Sequence, residues 1–598
     1  MRFMADFETT TQLDDCRVWA TCLTNIDTIN VSEDCVITNN IADFIDYISK
    51  LGMCHEIYFH NLKFDGKFIL DYILKAGYTY DDDLREPQTF RCIITDTNIF
   101  YSIEICHAVK TKKSKKGVRL VRTTSTILDS SKKIPLPVSK IPGAFGLENA
   151  KLDLDYTTYR EVGHELTQHE IDYIKEDVII VAKALNILFS QGMEKMTLSS
   201  DALNHYKELL CEGDKKNKEN KFRNLFPELS QGEDDFIRAS YRGGYTYANP
   251  KFQGKMVGEG IVYDVNSLYP AVMYNSLLPF GRPKWFTGFY WDDENDDLHG
   301  KYPLFIQKFK CSFKVKENAL PMIQLKNSMF YDGTEYLTES NGVEELILTS
   351  VDLDLFLDCY DIEDFEAIEG LAFRGMNNMF KQYIDHWSKV KVDSEKTGNM
   401  AMRQIAKLML NSLYGKFASN TNSKVKVPCI EEGMLKFNCV MGDDRESIYT
   451  AMSSFITSYA RDITIRTALA NIDRFAYCDT DSVHLLGWEP ATIDEDAYRI
   501  GAWKCEGYFI KAKFLRAKTY MEEHILNSKG KSITSLEGTK EWDGTSSHID
   551  VKCAGMPDKC KKDVTFENFK HGSKFKGKLM PRTVAGGVVL VDTEFTIK

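Results

Sequence analysis

The sequence predicts a multidomain α/β protein, and three observations carry that expectation. At 598 residues the chain exceeds what one hydrophobic core supports, so about four domains are expected. Over the first 190 or so residues, strand-like apolar runs alternate with helical patterns. From residue 258 the chain turns β-rich, then strongly helical, and then returns to strand–turn–strand patterning.

In the N-terminal part, RVWATCLTNI and TNIFYSIEICHAV read as strands, while IADFIDYISKLG and HEIDYIKEDVIIVAKALNILF read as helices. The polar stretch at 211–224, CEGDKKNKENKFRN, reads as an exposed loop or a domain boundary. GIVYDVNSLYP is a strand. A Pro- and aromatic-containing stretch then runs to about 375, followed by helix from about 377 to 418, and FAYCDTDSVHLL reads as strand–turn–strand. There is no internal repeat and no low-complexity tract. Nowhere do 18 apolar residues run together and MRFMADFETT is no signal peptide, so a soluble intracellular protein with no membrane partner is expected.

The fifteen cysteines are scattered, and Cys553 and Cys560 lack zinc-ligand spacing, so reduced and mostly buried thiols are expected. A net charge of −12 argues against a passive nucleic-acid coat protein. Locally the balance reverses: residues 107–133 carry nine Lys and Arg against one Asp, and residues 551–598 carry ten against five acids. Beside catalytic signals these two patches point to phosphate contacts, whereas Asp292, Asp293, Glu294, Asp296 and Asp297 read as plain surface.

In ADFETT, Asp6 and Glu8 sit two apart on an apolar strand, so both carboxylates point to one face. Asp65 lies where an apolar strand runs into a helix, and Asp177 follows Tyr173 by one helical turn. Four carboxylates and a tyrosine embedded in apolar sequence fit a two-metal nuclease, because buried acids need a charge partner. Thr9, His60, Asn61 and Phe64 are candidates for gripping a frayed single strand, with core packing an equal reading for Phe64. Lys151 is a candidate contact to the scissile phosphate, and Asp153 a candidate aid to metal binding.

In the second half, YDVNSLYP places Asp264 at the end of an apolar strand, and CDTDS places Asp479 and Asp481 in a tight strand–turn–strand. Such a pair of sites suits nucleotidyl transfer, since a triphosphate must be bridged to the protein by two Mg²⁺. The helix AKLMLNSLYGKFAS presents Lys407, Asn411 and Tyr414 on one face. There Lys407 would pair with triphosphate oxygens and Tyr414 would pack over a nascent base pair.

DFETT, HNLKFDG, YIKED, YRGG, DVNSLYP, KLMLNSLYGKF, TSYAR, YCDTDS and KTY occur in this order, and the chain ends in VDTEFTIK. In these motifs, across essentially its whole length, the chain resembles the protein-primed family B DNA polymerases of small tailed bacteriophages, the phi-twenty-nine-like enzymes. The resemblance implies an RNase H-like 3′→5′ exonuclease domain over 1–198, palm over 199–275 and 449–549, fingers over 379–418 and thumb over 550–598. It also implies two insertions: 276–378, which would dock a terminal protein, and 419–448, a β-hairpin arm for strand displacement and processivity.

Carried over residue by residue, the resemblance makes Asp264, Asp481 and the Val265 carbonyl the metal ligands, with Asp479 auxiliary. It makes Tyr269 the sugar-selecting residue, Lys391 and Lys407 the triphosphate ligands, and Lys518 with Tyr520 the pair that steadies the primer. Thr457 and Arg461 become template or primer phosphate contacts. Tyr241, Arg242, Gly243 and Gly244 become the linker that balances synthesis against proofreading, the glycines letting backbone approach DNA.

The implied partners are template–primer DNA, single strands, dNTPs and a terminal protein, bound by a monomer or as a heterodimer with that protein. Two Mg²⁺ per site, replaceable by Mn²⁺, and the cytoplasm of an infected bacterium complete the expectation. Two departures stand out: Ser130-Ser131 where the family has a leucine, and a KTGNM stretch at about 396–400 that lengthens the finger loop. A stand-alone exonuclease would lack Asp264 or the DTD, a non-catalytic DNA-binding or packaging protein would not keep these acids, and a reverse transcriptase would lack the proofreading acids.

Overall fold

An eight-stranded sheet organises the N-terminal part of the chain in the computed structural model, which describes residues 1–28, 35–52, 54–114, 117–156, 158–211, 213, 215–324, 336–419, 424–442 and 448–598. Its strands run in the order Val36–Thr38, Val18–Asn25, Arg2–Thr9, His55–Phe59, Gly117–Asp129, Phe100–Ser114, Thr89–Ile94 and Thr79–Tyr80. Strand Arg2–Thr9 lies inside the sheet and sends successive residues to opposite faces, both of them covered. Phe3, Ala5 and Phe7 pack with Phe44 and Phe68 of the helices Ile41–Ser49 and Leu62–Lys75. On the opposite face Met4 shares a core with Ile174 and Val178 of helix Gln168–Ser190, and Asp6 and Glu8 point the same way.

A second sheet carries the later motifs. Its order is Ser547–Cys553, Thr519–Ile525, Trp503–Arg516, Gly260–Val265, Ser482–Leu486, Phe475–Asp479 and Thr246–Ala248, with Met256–Val257 paired to Trp503–Arg516. Helix Thr450–Ala470, buried over most of its length, backs this sheet. Between Gly260–Val265 and that helix the chain inserts a four-stranded antiparallel sheet ordered Leu278–Thr287, Tyr360–Met376, Leu304–Val315 and Glu344–Thr349. An antiparallel pair of helices follows, Lys381–Thr397 and Met400–Phe417. Gly398 in the left-handed region ends the first and Asn399 caps the second, so the KTGNM stretch is the turn between them.

Two hairpins complete the structure. Strands Lys424–Glu431 and Met434–Met441 are joined by Glu432 and Gly433, both at positive φ, the turn whose twist matches a tight hairpin. Strands Lys574–Val584 and Gly587–Thr596 form the other. Neither projects freely. Leu435 of the first and Val588 and Val589 of the second lie in the core of the N-terminal sheet, and the Phe437 ring meets Phe100 at 5.9 Å.

Three expectations are corrected here. Residues 211–224 are mostly helical rather than a loop: helix Lys218–Leu225 forms because Phe222 is buried against Phe226 at 4.9 Å and Glu219 pairs with Lys207. The 549/550 boundary falls inside strand Ser547–Cys553, which is paired along its length to Thr519–Ile525. Lys133, counted in the first basic patch, is fully buried and bonded to Asp201 at 2.7 Å. Lys115 and Lys116 of that patch, residues 325–335 of the first insertion, and residues 420–423 and 443–447 of the second lie outside the described residues. Among the described residues no helix is long and apolar enough to cross a membrane. All fifteen cysteines are free and most are buried.

Candidate active sites

The first site is a cavity of about 640 Å³ on the Asp6 face of the N-terminal sheet. Asp6 and Glu8 enter from the central strand, Asp65 from the first turn of helix Leu62–Lys75, and Asp177 from helix Gln168–Ser190. Burial, with Asp177 close by, pushes Asp6 up to about 7, and burial with neighbouring carboxylates pushes Glu8 and Asp65 well above the usual range. Burial also raises Asp177, against the opposing ammonium of Lys151, which bonds its Oδ2. Asp177 Oδ1 is buried with no hydrogen-bond partner. Tyr173 meets Tyr156 hydroxyl to hydroxyl at 2.6 Å beside it.

Crowded, desolvated carboxylates with an orphaned oxygen suit divalent cations, although among the described residues no three such groups already form a closed metal cage. Thr9, Asn61 and Phe64 line the same cavity. So do Lys559, Leu579, Leu590 and Asp592 from the C-terminal region.

The second site sits at one end of the second sheet. Asp264 pairs in register with Ser482 on one side and Lys504 on the other, and Asp479 also faces Ser482. The turn between Asp479 and Ser482 holds Thr480 at positive φ, and Val265 N–H donates to the Asp481 carbonyl at 2.7 Å, locking Asp264 beside Asp481. Burial, then Asp481 and Glu506, raise Asp264 to about 7, and burial also raises Asp481. Asp479 accepts from Thr246 Oγ1 at 3.0 Å and from Lys518 Nζ at 2.6 Å.

Above this floor stand the two antiparallel helices. Lys407 and Asn411 are exposed on helix Met400–Phe417, and the Tyr414 ring stacks on Tyr269 at 4.2 Å and 22°. Lys391 comes from the partner helix, its ammonium disfavoured by burial and by Arg403, Lys407 and Lys504.

A family model described as DNA polymerase type B, organellar and viral, matches residues 52–499. The chain belongs to that family. The DNA polymerase of Bacillus phage PZA is 44% identical over 603 residues, covering 100% of this chain and 99% of the relative. That of Streptococcus phage Cp-1 is 32% identical over 617 residues, covering 100% and 98%. The structure of phi29 DNA polymerase complexed with primer-template DNA and incoming nucleotide substrates is 43% identical with a TM-score of 0.89, each chain covered in full. The multidomain α/β polymerase fold and a DNA-directed DNA polymerase activity follow.

Within this polymerase several residues expected to meet DNA also make specific protein contacts. Arg461 is only 3% exposed. Its guanidinium bonds Asp352 at 2.5 Å and donates to the Arg242 and Gly243 carbonyls at 2.8 and 2.7 Å, so it positions the Tyr241–Gly244 loop. Thr457 is 1% exposed and donates to the helix carbonyl of Ser453 at 3.0 Å. Gly244 is needed for protein packing: a Cβ there would stand 2.6 Å from Thr480 Cγ2 and 3.0 Å from the Tyr269 hydroxyl, whereas Gly243 faces open space.

Arg242 donates to the Ile347 carbonyl at 3.1 Å, and Tyr241 caps the preceding helix. His60 lines the first cavity with both ring nitrogens engaged, by Ser130 at 3.0 Å and the Leu136 carbonyl at 2.7 Å, so it braces the Ser130 turn. Asp153 is exposed and outside the cavity lining. The Tyr520 ring lies tilted against Tyr477 at 4.8 Å, and the Tyr477 hydroxyl accepts from Lys518 N–H at 2.8 Å, joining the two residues of KTY.

The sequence reading missed Tyr156, Arg403, Lys504, Glu506 and Leu590. Tyr156 is the last residue of KLDLDY and Arg403 precedes Lys407 by one turn, so both carried a local signal. Lys504, Glu506 and Leu590 enter through strand register and long-range docking, for which no local pattern exists.

Proposed function

We propose that this polymerase couples templated synthesis to 3′→5′ proofreading, primes on a terminal protein and displaces the downstream strand. The reading is carried by one observation: two separate clefts, each built around crowded carboxylates and each facing a cation, Lys151 in the first and Lys407 in the second. In the second cleft Asp264, Asp481 and the Val265 carbonyl would hold Mg²⁺, and in the first Asp6, Glu8, Asp65 and Asp177 would do so. Bound there, the ions neutralise phosphate charge and favour an attacking oxygen in its deprotonated form.

The chain's own groups do the rest. Lys391 and Lys407 orient a triphosphate, and the stacked Tyr269–Tyr414 pair forms a flat wall against sugar and base. Lys518, adjoining Asp479, steadies the primer end. In the first cleft Lys151 meets the scissile phosphate, while Phe64, Leu579 and Leu590 offer apolar contact to a frayed end. The structures of phi29 DNA polymerase with primer-template DNA and with single-stranded DNA support DNA as the substrate of both clefts. The four-stranded inserted sheet supports a protein-docking surface, and the hairpin Lys424–Met441, beside the N-terminal sheet, supports strand separation.

Separability tests the proposal. Asp264→Ala or Asp481→Ala should abolish primer extension and spare degradation of single strands, and Asp6→Ala with Asp65→Ala should do the reverse. Loss of both activities in a folded variant of either kind would overturn the two-cleft reading.

A further inference from the structure

Besides Lys518, four cations surround the second cleft, and one of them comes from its floor. Lys391, Arg403 and Lys407 project from the two helices above, whereas Lys504 lies on strand Trp503–Arg516 directly opposite Asp264. Cross-strand partners share a face, so Lys504 points into the cleft with the aspartate. Its field reaches both walls: it favours the charged form of Asp264 and disfavours that of Lys391. Lys504 Nζ rests on Glu506 Oε1 at 2.7 Å, with the two side chains 39% and 47% exposed. Such an exposed pair contributes about 0–1 kcal/mol and is cheaply opened.

Like charges gathered from two opposing elements repel unless an anion joins them; Arg403 has Glu395 at 3.7 Å, whereas Lys391 and Lys407 have no ion-pair partner within 4 Å among the described residues. The anion must be compact, because it bridges floor and roof. It must also lie on the strand Trp503–Arg516 side of Asp264, away from Asp479 and Lys518, which occupy the opposite flank where the primer is expected. A diphosphate fits both conditions and a nucleic-acid backbone fits neither.

We propose that Lys504 completes a diphosphate subsite, leaving Glu506 to bind the β- and γ-phosphates of the incoming nucleotide and then the released pyrophosphate. The inference rests on the polymerase reading of the cleft. No bond is made or broken by Lys504; it binds and orients.

Single-nucleotide insertion by the full chain tests it. Lys504→Ala should raise KM for dNTP about tenfold, the loss expected of one charge-assisted hydrogen bond, with a smaller change in kcat. The inhibition constant for added pyrophosphate should rise by a similar factor, and Lys504→Arg should restore both. Single-strand degradation and the thermal midpoint should stay at parental values, which separates the effect from misfolding. Unchanged KM and unchanged pyrophosphate inhibition in Lys504→Ala would overturn the subsite, as would a loss confined to kcat, the mark of a role exerted through Glu506 alone. Failure of the parental chain to insert a templated nucleotide would instead overturn the underlying reading.

Discussion

Asp6 and Asp264 each titrate at about 7, held there by burial and by nearby carboxylates. In an unfolded chain they titrate at about 3.9, so across that window the folded protein binds more protons. The penalty of holding these acids charged is therefore absent below the unfolded value and complete above the folded one, and metal-free stability falls as pH rises between them. Divalent cations take only the deprotonated form, so the rise in thermal midpoint on adding Mg²⁺ should be larger at about pH 8 than at about pH 6. Thermal melts of the parent and of Asp264→Asn check this; equal gains at both pH values in the parent would contradict it. Arg461 makes a different prediction. Arg461→Ala leaves Asp352 buried without its cation and should destabilise the fold by about 3–5 kcal/mol in chemical denaturation, with Arg461→Lys recovering only part because an ammonium cannot span the carboxylate and two carbonyls. Tyr269→Val removes the ring stacked on Tyr414, and competition between ribo- and deoxyribonucleotides should show sugar discrimination reduced about 10- to 200-fold.

Among elements, those whose chemistry follows local periodicity were legible in the sequence. Asp6 and Glu8 share a face because a strand has period two, and Tyr173 with Asp177, or Lys407 with Asn411, because a helix brings every fourth residue round. Helix Lys218–Leu225 was not legible, since a single buried Phe222 in eleven or so polar neighbours gives no stripe. The partner of Arg461 was not legible for a related reason: a basic residue on a helix gives no local sign of a bond to Asp352, more than a hundred residues away in sequence. The hairpin Lys424–Met441 was expected from the family resemblance, but its docking through Leu435 and Phe437 was not legible. Replacing that hairpin by a short Gly-Ser link should leave gap filling on a short primed template nearly intact and stop synthesis at a downstream duplex, where each base-pair step costs about 1.4 kcal/mol to melt. Traversal of the duplex at the parental rate would remove the hairpin from unwinding.

At the scale of the whole molecule, the C-terminal hairpin returns to the first domain. Its tip sits so close that a Cβ on Gly587 would run into the Phe68 ring, and one on Gly586 into the Cys16 carbonyl. Leu579, Leu590 and Asp592 of the same hairpin line the first cavity. Gly587→Leu should therefore push the tip away and lower single-strand degradation while gap filling on primed DNA stays near the parental rate; proportional loss of both would show that the docked tip serves overall stability alone. The docking also sets an order of events during synthesis. Strands and helices of the first domain leave the ribosome early, yet Leu435, Val588 and Val589 belong to its hydrophobic core. Until those residues emerge, the Phe68 surface faces water and the cavity lacks a wall. Closing such a long loop is slow relative to local folding and leaves apolar surface open to aggregation meanwhile. A nascent chain of this protein thus acquires a finished first cleft only when nearly its last residue has been made, after the residues that line the second cleft have been made.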